Sequence, residues 1–99
     1  MTNQTSEMTS LKFSLGTIVA TPGAMDALGK NCQSPGEFLS RHVCGDWGTV
    51  CKEDAELNNQ ALLESSRLLS SYSLKDETRL WIITEADRSS SCLLLPSEY

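Results

Sequence analysis

Thr78-Arg79-Leu80-Trp81-Ile82-Ile83-Thr84-Glu85 is the stretch that decides the fold. Four consecutive apolar residues, rich in β-branched and aromatic side chains, lie between two turn-forming clusters, Lys75-Asp76-Glu77 and Ala86-Asp87-Arg88-Ser89. A short apolar run bounded in this way reads as a strand. On a strand, Leu80 and Ile82 point one way and Trp81 and Ile83 the other, so both faces are apolar. An antiparallel sheet with helices on one side normally shows polar side chains to water on the other. The second face therefore needs a cover, either from the N-terminal segments or from a partner, and in the latter case Trp81 is the natural anchor.

The flanking sequence extends this strand into a sheet. Residues 66–74 alternate, with Leu68, Tyr72 and Leu74 on one side and Arg67, Ser71 and Ser73 on the other. Residues 90–95 form a last strand that Pro96 stops. Such short turns predict a three-stranded antiparallel meander. Upstream, residues 12–20 read as a strand with Phe13, Leu15, Thr17 and Val19 on one face, and Gly16 marks a bulge or a close backbone approach. Thr21-Pro22 starts a short helix that Gly29 is expected to end. Ser34 and Glu37 have capping-box spacing for a second helix, with Pro35 at its first position, and Gly45 ends it. Gly45 and Gly48 bracket Trp47, an expected loop anchor. A third helix covers about residues 52–65, with Glu53-Asp54 in its first turn and Ala55, Leu62 and Leu63 on one side. The predicted order is β-α-α-α-β-β-β, an α+β plan. Residues 1–10 have no apolar periodicity and read as a disordered arm, so the expected single domain is 11–99.

Ninety-nine residues allow one domain and one modest core. The net charge is −5, from 13 acidic and 8 basic residues, and most of the excess lies after residue 50. An acidic surface repels a phosphate backbone, which disfavours nucleic acid as a partner, although Arg67, Arg79 and Arg88 could form a local basic patch. The polar start lacks the apolar core of a signal peptide and no segment is apolar enough to span a bilayer, so a cytoplasmic location with no membrane contact is expected. Cys32, Cys44, Cys51 and Cys92 then read as free thiols.

Each chemical constellation has a plainer reading beside it. His42, Cys44 and Cys51 offer zinc-ligand chemistry without paired-cysteine spacing or a fourth ligand, and buried thiols pack as small hydrophobes. A Cys–His nucleophile pair would need the same residues, but positions 42 and 44 fall on different sides of a helix. Glu85 with Asp87, and Glu53 with Asp54, suit turns and helix starts better than acid–base work. The glycines form no phosphate-binding loop. No cofactor or metal is expected.

Residues 14–24 (Ser14-Leu15-Gly16-Thr17-Ile18-Val19-Ala20-Thr21-Pro22-Gly23-Ala24), Arg41-His42-Val43 with Gly45-Asp46-Trp47-Gly48, Leu80 through Ser89, and the ending Leu93-Leu94-Leu95-Pro96-Ser97-Glu98-Tyr99 resemble a family of short bacterial proteins carried on plasmids and integrative elements, often labelled only as plasmid-related. Some of its members carry a restriction-subunit label, but this chain contains no methyltransferase motif. The resemblance implies a bacterial, cytoplasmic accessory protein of a mobile genetic element.

The expected function is a non-enzymatic protein-binding module that engages a host or element-encoded protein, in the role of an inhibitor of a host defence system. Its candidate contact residues are Trp81, Ile83, Arg79, Asp87 and Arg88, and a homodimer is another way to cover the same face. The alternative is a small RNA-cleaving toxin of the RelE-like kind, which rests on element order alone.

Overall fold

The apolar strand lies inside a four-stranded sheet. The computed structural model describes residues 11–99, and the arm expected over 1–10 lies outside them. The elements are β1 (Thr17–Ala20), α1 (Pro22–Lys30), α2 (Pro35–Val43), α3 (Lys52–Glu64), β2 (Leu68–Ser73), β3 (Arg79–Thr84) and β4 (Ser90–Leu94), followed by a 3-10 turn over Pro96–Glu98. This is the α+β order read from the sequence. The last three strands form the antiparallel meander, with Leu69 opposite Ile83 and Trp81 opposite Leu94. β1 adds to the free side of β4 in parallel, Thr17 beside Ser90 and Ala20 beside Leu93, so the order is β1-β4-β3-β2 and the whole sheet is mixed.

The first strand is shorter than the alternation predicts. Gly16 sits at φ +66°, where a side chain is strained, and a Cβ there would collide with the Ser89 carbonyl. The backbone turns at this close approach, and pairing begins only at Thr17, whose N–H donates to the Ser89 carbonyl at 2.9 Å. Phe13 and Leu15, expected on the strand, pack instead against two separate parts of the core.

Helix ends also differ from expectation. Thr21 caps α1, its hydroxyl accepting the Ala24 N–H at 3.1 Å. Gly29 does not end that helix, which runs on to Lys30. The buried Asn31 closes it: its side-chain amide donates to the Ala27 carbonyl at 2.8 Å, and its oxygen accepts the Asp76 N–H at 2.8 Å, which ties α1 to the β2–β3 turn. The Ser34–Glu37 capping box does not form, and the Glu37 carboxylate instead takes the Gln33 amide at 3.0 Å. On α3 the sheet-facing stripe is Ala55, Asn58, Ala61 and Leu62, whereas Leu63, expected inside, is 88% exposed.

All three helices pack on one face of the sheet. Ala24, Ala27 and Leu28 of α1 and Phe38 and Leu39 of α2 meet Tyr72, Leu74, Leu80, Ile82 and Leu93 in the main core. Trp47, Ala61 and Leu68 form a second cluster, joined by Phe13, Val50, Ala55 and Leu62. Gly45 and Gly48, both at positive φ, turn the chain around the buried Trp47, whose indole N–H donates to Asn59 at 3.0 Å.

Candidate functional site

His42 is the residue on which metal and nucleophile chemistry would converge, and it is fully sealed from solvent between the two core clusters, edge-on to Phe13 and Trp47. Its Nδ1 lies 2.6 Å from the Ser70 hydroxyl and its Nε2 lies 2.8 Å from the Thr84 hydroxyl. Thr84 is in turn 2.7 Å from the Ser91 hydroxyl, and Ser91 donates to the Leu15 carbonyl at 2.8 Å. That last carbonyl can only accept, which sets the direction of the whole chain. Ser91 uses its proton on Leu15, so it accepts from Thr84; Thr84 accepts from His42 Nε2–H; and His42 Nδ1 accepts from Ser70. One neutral tautomer satisfies every member. Burial, with a smaller contribution from the Arg88 charge, lowers the imidazole to about 4.

This network joins α2, the three meander strands and the segment before β1, and it has no route for a substrate. No cysteine takes part in it. Cys92, the thiol on the opposite sheet face, is held above the ordinary thiol range by burial and then by Glu98 and Glu85, the reverse of activation. All four cysteines are free. Among the described residues no group of three or more His, Cys, Asp or Glu side chains could hold a metal ion.

The other sheet face is where apolar surface meets solvent. Period-two geometry places Leu69 of β2, Arg79, Trp81 and Ile83 of β3, and Cys92 and Leu94 of β4 on this side. Their cover is partial and comes from the chain's last residues. The Glu98 carboxylate accepts hydrogen bonds from the Thr21 hydroxyl and the Leu95 N–H, which pins the 3-10 turn beside the start of α1. Tyr99 then reaches over the sheet, its ring 5.7 Å from that of Trp81 and edge-on to it, with the Arg67 guanidinium 5.3 Å from its centre. Between them is a groove of about 270 Å³ lined by Arg67, Leu69, Trp81, Ile83 and Tyr99. Trp81 is half-buried and Tyr99 is 69% exposed. Among the described residues neither Arg67 nor Arg79 forms an ion pair.

The five expected contact residues are not brought together. Trp81 and Ile83 line the groove, and Arg79 lies on the same face, at the end of β3 opposite Ser73. Arg88 turns away and lies over Phe13. Its Nη1 donates to the carbonyls of Ser66 (2.6 Å), Glu85 (3.1 Å) and Ala86 (3.1 Å), and its Nη2 to Ala61 (3.2 Å), so it clasps the end of α3 to the β3–β4 turn. Asp87 shapes the same turn, accepting the Ser89 N–H at 3.0 Å; the Ser89 hydroxyl first, and then this N–H, lower its carboxyl below the usual range. Arg67, Arg79 and Arg88 therefore form no common basic patch. Sequence reasoning missed Leu69 and Tyr99, and placed Arg67 only in a possible basic patch with Arg79 and Arg88. Leu69 carried a signal, as the one apolar residue among Arg67, Leu69, Ser71 and Ser73 on the polar side of its strand; nothing local places Tyr99.

No family model matches the chain, and no curated protein or solved structure matches it. Among the described residues no helix is long and apolar enough to cross a membrane.

Proposed function

We propose that the protein is a non-enzymatic binding module whose outer sheet face docks an acidic segment of a partner protein. The observation that carries this reading is the groove lined by Arg67, Leu69, Trp81, Ile83 and Tyr99. It combines a half-buried indole, aliphatic walls and a guanidinium at the rim, the residue types that dominate binding energy at protein interfaces. Arg67 and Arg79 flank the apolar centre on a chain of net charge −5, and neither has an ion-pair partner among the described residues. The occupant that fits puts an apolar side chain between Trp81 and Ile83 and a carboxylate toward Arg67. Glu85 and Glu98 add negative charge near Cys92, and the β2–β3 register continued past Leu68 and Thr84 sets Glu85 across from Arg67, so the acidic contact is confined to the guanidinium groups themselves.

In this reading the partner is a host or element-encoded protein, and the role is that of a mobile-element accessory factor that blunts a host defence system. The cellular role rests on the family resemblance alone, and the docking face rests on the groove. The RNA-cleaving alternative draws no support from the geometry, because the chain's single histidine is locked in the sealed network and cannot reach a substrate. The test is quantitative capture from the native bacterium with wild type, Trp81→Ala and Arg67→Glu, each first shown to be folded. A specific captured protein should be lost with either variant. Equal capture by all three would remove this face from consideration.

A further inference from the structure

The two edges of the sheet are finished differently. Along β2 the outward backbone groups are occupied. The Asn58 side chain donates to the Leu69 carbonyl at 2.7 Å and accepts the Leu69 N–H at 3.1 Å, imitating a neighbouring strand. Two residues on, the Ser71 N–H reaches the Trp47 carbonyl at 3.1 Å and the Ser71 carbonyl takes the Thr49 N–H at 2.6 Å. An edge closed in this way cannot template another chain.

Among the described residues β1 has no such closure. The N–H groups of Thr17 and Thr21 donate to Ser89 and Leu93. In a parallel pair, Thr17, Val19 and Thr21 thus face β4, while Ile18 and Ala20 direct their N–H and C=O groups away from the sheet. Among the described residues nothing bonds to those groups. Ile18 is 50% and Val19 45% exposed, and Met25, in the helix that follows, is 47% exposed. Residues 13–25 contain no charged side chain, in a chain that carries −5 overall. At four residues this edge is short, but it is charge-free, β-branched and open, without the charged side chains, inward-pointing ionic groups or covering segment that commonly keep edges apart.

We propose that β1 pairs antiparallel with β1 of a second copy of this chain, about a two-fold axis at Val19. In that register Ile18 exchanges both backbone hydrogen bonds with Ala20 of the second copy, and symmetry repeats the exchange. The two Val19 side chains then meet as the close, non-hydrogen-bonded pair. A second copy is the occupant because Ile18-Val19-Ala20 is its own complement under this symmetry, and because the uncharged stretch lets two acidic bodies approach without opposing like charges. The result is a continuous eight-stranded sheet with both Trp81 grooves on the same side. The interface is separate from that groove and stands or falls without it.

Sedimentation equilibrium of the full chain over a range of concentrations should approach twice the 10.9 kDa chain mass. Val19→Lys sets two cations face to face at the axis and should weaken the dimer by about tenfold or more with the far-UV circular dichroism unchanged, whereas Val19→Thr keeps the branched shape and should dimerise. In a background with all four native cysteines replaced by serine, which removes Cys92 beside residue 19 on β4, Val19→Cys should form an intermolecular disulfide on diamide oxidation, the diamide taking up both thiol hydrogens, because the paired Cα atoms would lie about 4.5 Å apart. A chain that stays at single mass at every concentration would overturn the proposal, as would a dimer that Val19→Lys leaves intact and Val19→Cys fails to cross-link.

Discussion

His42 Nε2 lies 2.8 Å from the Thr84 hydroxyl, and this contact sits at the centre of a buried proton chain that runs one way, from Ser70 to the Leu15 carbonyl. The chain uses the neutral imidazole, and the folded state holds it at about 4 against an ordinary value of 6.5. The unfolded chain therefore takes up the proton first as the pH falls. The contribution of His42 to stability is complete above pH ~6.5 and is lost as the pH drops toward ~4, a change of about 3 kcal/mol. Because the chain has one histidine, its Hε1 resonance is unambiguous. It should stay nearly fixed between pH ~5 and ~8, while the urea midpoint falls over the acid part of that range. A resonance that titrates near its ordinary pH would show that water reaches the ring.

Asn58 is a second buried polar residue with a defined task. Asn58→Ala removes both bonds to the Leu69 backbone and leaves that carbonyl and N–H without partners beneath α3. The expected loss is about 2–3 kcal/mol in denaturant unfolding. Asn58→Asp keeps an acceptor for the Leu69 N–H but sets a carboxylate against the Leu69 carbonyl, and should do no better. A loss below ~0.5 kcal/mol, the range of an ordinary surface change, would mean that the clasp is dispensable.

These two residues also mark where the sequence stopped being readable. The meander was legible because its signals are local: alternation within residues 66–74, a turn after Leu74, and an apolar run between two turns. The position of β1 was not, because its pairing of Thr17 with Ser90 spans almost the whole chain and leaves no periodic trace. Asn58 carries no apolar signal in the sequence, and Leu63 reads as lying on the apolar side with Ala55 and Leu62. The structure buries Asn58 and exposes Leu63, since the stripe facing the sheet is set by how α3 lies across β2 rather than by hydropathy. Ser70, Thr84 and Ser91 break the apolar pattern on the inner face because they serve one histidine, and that relation appears only when three strands are side by side. At the candidate site, Trp81 and Ile83 were visible as a second apolar face on one strand. Arg88 looked like an exposed turn charge, and its four carbonyl partners come from two separate stretches of chain, the end of α3 and the β3–β4 turn.

Arg88→Ala should accordingly destabilise the fold although the residue lies in a surface turn. A charged donor shared among the carbonyls of Ser66, Glu85, Ala86 and Ala61 is lost together with its contact on Phe13. The expected cost is about 2–3 kcal/mol, a fall of roughly 10 °C or more in thermal midpoint for a domain of this size. Arg88→Lys should recover less than half, because a single ammonium cannot span both branches of the fork. Full rescue by lysine would show that charge alone is what matters there.

Trp81→Ala separates a docking role of the outer sheet face from a purely structural one. Trp81 is only half-buried and leans on the exposed Tyr99, so the variant should remain cooperatively folded and lose less than the ~3–5 kcal/mol typical of a core aromatic. Capture of the partner should fall by ~30-fold or more, the loss expected of an interface anchor near 2 kcal/mol. A Trp81→Ala protein that unfolds would make Trp81 a core residue, and one that folds and captures the same partner undiminished would show that the outer face is not where the partner docks.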